Sequence, residues 1–241
     1  MIDTDYQYIR RNYESISERI QRAANRSGRD THELCLIAVS KKQPAEKILY
    51  AREMGIVNFG ENYPEETLEK IDELKNIANS ISWHMIGHLQ SRKAKIIATQ
   101  FSYIHSIDNF HVIQVLSSEL EKSNRTINGL IELNLTGEAS KTGFPAWTQE
   151  HLIRTIDSIG AMIPFRRIKV IGLMTMPPLS DNPEDSRPIY QKLRNLQTQL
   201  SNTFPDQQWN ILSMGTSFDF EVAIEEGASM VRIGEAIFGP R

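Results

Sequence analysis

The chain has 241 residues, 40% of them hydrophobic and 24% charged, which is the balance of a water-soluble globular fold. A formal net charge of −3 excludes a general attraction to nucleic acid or to an anionic membrane, and no apolar run approaches the ~18 residues that a spanning helix needs. The single cysteine, Cys35, rules out an internal disulfide, and the N-terminal stretch has no apolar core of a signal peptide, so a reducing cytoplasm is the expected compartment.

In chain order, Asp3 to Ala24 reads as an amphipathic helix, with Tyr6, Ile9, Tyr13, Ile16 and Ile20 three or four apart and Ser27-Gly28 as its stop. Leu34 to Val39 is an apolar run without alternation, the mark of a strand buried on both faces, and it leads into Ser40-Lys41-Lys42. Cys35 sits inside that run as a small buried hydrophobe. A helix opens near Pro44 and closes at Gly55, and Ile56 to Phe59 is a second strand leading to Gly60-Glu61-Asn62. The helix from Pro64 to Ile77 carries Glu65, Glu66, Glu69 and Lys70, read as surface pairs one turn apart. Further strands follow at Ile81–Ile86, Tyr103–Ile107, Ile127–Leu135 and Arg167–Met174, then at Trp209–Leu212 and Ser229–Ile233. Each is followed by a helix: Arg92–Thr99, Phe110–Glu121, Ala146–Ile159, a long one from Asp181 to Leu200, Phe218–Glu226, and a short one opened by Gly234. Arg92, Lys93 and Lys95 form a solvated basic face, since no aromatic residues interleave with them.

Eight strands alternating with helices, with one extra helix in front, predict a (β/α)8 TIM barrel of α/β class in a single domain, residues 1–241. A doubly wound open sheet is the alternative, weakened by the absence of a glycine-rich dinucleotide fingerprint after the first strand.

Barrel chemistry sits at the C-terminal ends of the strands. Those ends offer Lys41, then Asn62, His84, His105, Asn134 with Lys141, Met174, the stretch Ser213–Ser217, and Arg232 with Gly234. Lys41 leaves a buried strand at the rim of the core, where loss of hydration favours the neutral amine that a Schiff base with an aldehyde requires. Thr216, Ser217 and Gly234 stand just before helices seven and eight, where backbone amides gather phosphate in such barrels. An aldehyde-reactive lysine facing a phosphate cradle suggests one ligand with both groups, pyridoxal 5′-phosphate (PLP). Asn62 is placed to hydrogen-bond near its ring oxygen, and Met174 and Met176 at its ring face.

The quoted residues bring a family into view. AVSK at 38–41, FGEN at 59–62, WHMIGHLQ at 83–90, GLM at 172–174, SMGTSFDFEVAI at 213–224 and MVRIGEAIFG at 230–239 resemble the pyridoxal phosphate homeostasis proteins, including their cyanobacterial PipY-type members. The resemblance runs over nearly the whole chain. It implies a fold-type III PLP barrel, like the N-terminal domain of alanine racemase, with the cofactor held as an aldimine to Lys41. It also implies phosphate contacts from Thr216, Ser217 and Gly234 and places Arg232 beside the pyridine nitrogen; Ser213, which opens the same block, joins the cofactor-binding set. Departures stand beside it. Gln43 occupies the position of a frequent second lysine, with Lys42 next to the reactive residue instead. Thr216 replaces the usual methionine and Arg92 the usual asparagine, while Lys141 in GEASKTG matches a family lysine; roles of Lys42 and Lys141 in PLP transfer stay open.

An arginine can only donate, so a ring nitrogen facing Arg232 stays unprotonated and withdraws electrons poorly. The sequence ends shortly after the eighth strand, leaving no residues for the second domain from which related racemases draw an acid–base group. The expected function is therefore that of a PLP-binding protein that buffers or delivers B6 vitamers, with apo PLP-enzymes as recipients, no catalytic residue and a monomeric state. A small amino-acid racemase is the alternative. A metal-dependent hydrolase using His84, His88 and His105 lacks ligand spacing such as HxH or HExxH, and no metal is expected.

Overall fold

The computed structural model describes residues 6–240. Eight parallel strands close on themselves: β1 (Cys35–Val39), β2 (Asn58–Glu61), β3 (Ser82–Met85), β4 (Tyr103–Ile107), β5 (Ile127–Asn134), β6 (Ile168–Met174), β7 (Ile211–Thr216) and β8 (Met230–Ile233). Each pairs with the next, and β8 returns to β1 through Cys35–Met230 to Ala38–Ile233, which closes the barrel. Phe144–Pro145 adds a two-residue extension beside Leu133 and Asn134.

Helix α1 (Gln7–Arg26) precedes the barrel, and α2 (Ala45–Glu53), α3 (Pro64–Leu74), α4 (Ala94–Gln100), α5 (Phe110–Lys122), α6 (Gln149–Met162), α7 (Arg187–Thr203), α8 (Phe220–Glu225) and α9 (Glu235–Phe238) follow the strands in turn. The expected start of the first helix at Asp3 lies outside the described residues. α1 joins the two ends of the fold: Arg19 pairs with Glu221 at 3.1 Å, and the Tyr8 hydroxyl donates to the Phe238 carbonyl at 3.0 Å. No described helix is long and apolar enough to cross a membrane.

Most buried apolar side chains lie between strands and helices. A second, small cluster of Ile37, Leu130, Met174 and Met230 fills part of the barrel interior, with Cys35 packed against it. Burial pushes the Cys35 thiol up to about 11, so it stays protonated as a small apolar group. Beside it runs a column of buried polar side chains, His84, His105, Ser213 and Arg232, and that column carries the site.

Two strand ends differ from the sequence reading. β2 runs on through Gly60 and Glu61, and β7 begins at Ile211 and absorbs Met214, Gly215 and Thr216, which the sequence assigns to a turn. Gly60 is held in the sheet by pairing with Val39 and His84, whereas Gly215 lies at an irregularity where the pairing with β8 shifts register between Ser213 and Thr216. Gly215 has φ +92°, and a Cβ there would lie 2.6 Å from the Ala223 Cβ and 2.9 Å from the Phe220 Cα, so β7 and α8 approach closely only because the residue is glycine.

Candidate cofactor site

The C-terminal mouth of the barrel holds a cavity of about 570 Å³. Lys41 from β1, Asn62 after β2, Met174 at the end of β6, Thr216 and Ser217 after β7, and Arg232 and Gly234 from β8 all line it. Ser213 does not. It is fully buried one layer below, where its hydroxyl accepts from Arg232 Nη1 at 2.5 Å, so its place is to support Arg232 rather than to line the cavity.

The turn that presents Lys41 is fixed from both sides. Before it, the Ser40 hydroxyl donates to Glu61 Oε1 at 2.6 Å and the Ser40 carbonyl accepts from Lys70 Nζ at 2.7 Å. After it, the Lys42 amide donates to Glu66 at 2.5 Å with the Lys42 backbone at φ +58°. Lys70 joins the two halves by pairing with Glu61 and Glu66, each at 2.6 Å. Lys70 and Glu61 are buried, so the expected surface pairing on α3 is corrected: Lys70 does pair one turn back with Glu66, but its ammonium turns inward under the lysine-bearing turn. Burial pushes the Glu61 carboxyl above its ordinary range, against the pull of Lys70 and Ser40.

Across the mouth, the Ser217 hydroxyl accepts from the amides of Gly234 at 3.3 Å and Ala236 at 3.5 Å. The Thr216 amide and hydroxyl both point to Asp219 Oδ1, at 2.8 and 3.0 Å, while Ser186 and Tyr190 hold the other Asp219 oxygen. Thr216 thus faces the cavity with its donors engaged, and Ser217 is the hydroxyl placed for an anion. Arg232 is buried and donates through Nη2 to the Thr175 carbonyl at 3.1 Å; burial lowers its pKa, opposed by Tyr190, Glu132 and Asp219.

The cavity also takes in Glu132, which the sequence reading left aside, together with His88 and Lys141. Glu132 is buried in its wall, accepts from Thr142 Oγ1 at 2.6 Å, and has its pKa raised by burial. A signal for it existed, because β-strand alternation puts it on the same face as Asn134, two residues on. His88, another lining residue, pairs with Asp108 at 2.9 Å, and Lys141 donates to the Pro177 carbonyl at 3.1 Å. His84 and His105 lie in the barrel interior and bond to each other. Among the described residues, no three His, Cys, Asp or Glu side chains are grouped to hold a metal ion.

The donor set fits PLP. Asn62 Oδ1 is buried with no hydrogen-bond partner among the described residues, an acceptor awaiting a donor. Two amides converge on the Ser217 hydroxyl, as they would on an anion's oxygen, and Lys41, which carries a primary amine, lines the same cavity.

Residues 5–241 match the family model of the alanine racemase N-terminal domain. The pyridoxal phosphate homeostasis protein of Aquifex aeolicus is 38% identical over 230 residues, covering 94% of this chain and 95% of that one. Its counterpart in Escherichia coli K12 is 33% identical over 234 residues, 97% of each. Among solved structures, PipY of Synechococcus elongatus with PLP bound superposes with a TM-score of 0.78 at 28% identity, over 92% of this chain and all of that one. Alanine racemase of Clostridium difficile shares the fold, with a TM-score of 0.69 at 12% identity over 98% of this chain and 57% of the racemase.

Proposed function

The chain belongs to the family of pyridoxal phosphate homeostasis proteins, and from that premise we propose that it binds PLP at the barrel mouth and buffers or delivers it, without being an enzyme in its own right. The observation that carries this reading is that Lys41, Arg232 and the Ser217–Gly234 cradle line one cavity. In it Lys41 tethers the aldehyde, Ser217 with the Gly234 amide holds the phosphate with Thr216 beside it, and Arg232 faces the ring nitrogen. Asn62 lies near the ring oxygen and Met174 against the ring face, with Ser213 behind Arg232. When bound, PLP supplies an aldehyde that captures primary amines and a ring that withdraws electrons. Arg232 limits the second property, because a donor-only group leaves the ring nitrogen unprotonated. Relatives matched over nearly their full length carry the homeostasis name, which supports the carrier role; on this reading the carrier is a single domain that works in the cytoplasm as a monomer, with apo PLP-enzymes as recipients.

One feature favours the racemase alternative. Glu132 on β5 is a buried carboxyl in the wall of the cavity, half-way round the barrel from Lys41, and could act as a second proton carrier. Incubating the PLP-loaded protein with amino acids in deuterated water separates the two readings: the carrier leaves the α-hydrogen in place, whereas a racemase exchanges it while both enantiomers form.

Delivery is tested by mixing the PLP-loaded protein with a PLP-free enzyme and following recovery of that enzyme's activity, with a trap for free PLP present. Recovery faster than the protein's own PLP release supports hand-over, and recovery that the trap abolishes limits the role to buffering. The phosphate cradle has its own signature. Ser217→Ala is expected to weaken PLP binding about tenfold, the scale of one hydrogen bond to a charged group, while binding of unphosphorylated pyridoxal is unchanged. Equal losses for both ligands in a titration would remove Ser217 from the phosphate site.

A further inference from the structure

A chain of hydrogen bonds runs through the barrel interior beneath Arg232. Arg232 Nη1 donates to Ser213 Oγ at 2.5 Å. Ser213 Oγ lies 2.8 Å from His105 Nδ1, His105 Nε2 lies 3.0 Å from His84 Nδ1, and His84 Nε2 lies 3.1 Å from Asn58 Oδ1. Ser213, His105 and His84 are fully buried, and the His84 ring stacks flat on Tyr103 with centroids 4.3 Å apart.

Donor arithmetic orients this chain. The guanidinium has no acceptor, so Ser213 must accept from it and has its own proton to give. His105 Nδ1 is the acceptor within reach. That leaves the His105 proton on Nε2, directed at His84 Nδ1, and the His84 proton on Nε2, directed at the Asn58 carbonyl oxygen. Every donor then meets an acceptor. The opposite orientation strands the Ser213 proton, which a buried site does not tolerate cheaply. The geometry also leaves no acceptor for an extra proton on either ring. Burial pushes His84 down to about 3 and His105 well below its ordinary value, the latter with help from His84 and Arg232, so both rings are neutral.

We propose that His105 and His84 are positioning residues of the cofactor site: a one-way relay of neutral Nε2-protonated imidazoles that makes Ser213 an obligate acceptor and so fixes the Arg232 guanidinium toward the cavity. This deepens the PLP reading and rests on it for its consequence, but not for its geometry. Without His105, the Ser213 proton turns back toward the guanidinium, and Arg232 keeps only the Thr175 carbonyl of the two oxygen acceptors that set its angle. The groups that face the relay are Tyr103 from β4, beside His84, and Arg232 from β8, with the Ser82 hydroxyl 3.4 Å from His84 Nε2.

The test has two arms. The first uses the PLP-free protein and nitrogen NMR of its histidines. Two rings protonated only at Nε2, with shifts unchanged between about pH 5 and 8, are expected; a proton on either Nδ1, or ordinary titration of both rings, overturns the relay whether or not PLP binds. The second compares His105→Leu with His105→Asn, in which the amide oxygen can take the place of Nδ1 as acceptor for Ser213. The leucine variant is expected to bind PLP about tenfold more weakly and to shift the absorption band of the bound cofactor, and the asparagine variant to recover both. Folded variants with the affinity and spectrum of the parent would refute the positioning role. If the parent itself fails to bind PLP, the first arm still decides the relay, and the functional reading alone is lost.

Discussion

Lys41→Ala is expected to abolish the covalent capture of PLP. The parent, mixed with PLP and reduced with borohydride, should gain one pyridoxyl group per chain by mass, on the peptide containing Lys41; the variant should gain none and lose the yellow band. The physical reason is the turn rather than the amine alone. Ser40 is held to Glu61 and Lys70, and the Lys42 amide to Glu66, so the backbone on both sides of Lys41 is fixed before any ligand arrives. With the backbone fixed in advance, only the side-chain torsions of Lys41 are left to be ordered when the bond forms. Removing it leaves only the phosphate cradle, Asn62 and Arg232, and the affinity should fall by at least ~100-fold, about 2.8 kcal/mol. The neighbouring Lys42 is exposed and stands on a backbone with φ +58°, so Lys42→Ala should keep the attachment. Labelling of Lys42 or Lys141 in the parent at the same level as Lys41 would overturn the assignment.

What the amino-acid order reveals of this site follows a physical rule. A barrel strand such as Cys35–Val39 stands out as an apolar run between helix signals, and the eightfold alternation is legible from strands of this kind. Loop ends rich in small residues mark the mouth, so Lys41, Asn62, Thr216, Ser217, Arg232 and Gly234 come together as neighbours of one cavity. The polar interior is a different matter. Ser213, His84 and His105 are far apart in sequence, and nothing in local periodicity says that they stack into one bonded column beneath Arg232. Histidines in a strand read as core or as rim with equal ease. Lys70 was hidden by its helix: glutamate and lysine one turn apart look like a solvated pair, and only the tertiary approach of β2 brings Glu61 within 2.6 Å of the ammonium. Strand ends at Glu61 and Thr216 are blurred by glycine: Gly60 reads as a turn until pairing with its neighbours holds it, and Gly215 is an irregularity inside β7 that local sequence cannot tell from a turn.

That buried ion pair is the most consequential structural element outside the cavity, and Lys70→Met should show it. Glu61 is fully buried; Lys70 and Ser40 bond one of its oxygens, and the other has no hydrogen-bond partner among the described residues. Methionine keeps most of the lysine's apolar length but removes the ammonium, leaving a fully buried carboxylate with half of its compensation. Breaking one side of such a pair costs about 3–5 kcal/mol. For a chain of this size that corresponds to a fall in melting temperature of roughly 6–20 °C. The loss should depend on pH in a definite direction. The Glu61 carboxyl is already raised by burial, and losing Lys70 removes the largest influence that lowers it, so the folded variant binds a proton more readily than the unfolded chain does. A carboxyl raised in the folded state is at its most favourable below its unfolded value and loses stability as pH rises through its folded value. The deficit of Lys70→Met against the parent, read from urea midpoints, should therefore be larger at pH 8 than at pH 5. Adding Glu61→Leu removes the stranded charge, and the double variant should regain most of the stability even though both partners are gone. It should not regain full PLP capture, because Ser40 has lost both of the groups that hold the turn in front of Lys41. A deficit equal at the two pH values, together with a double variant no more stable than the single one, would show that Lys70 acts through packing and not through its charge.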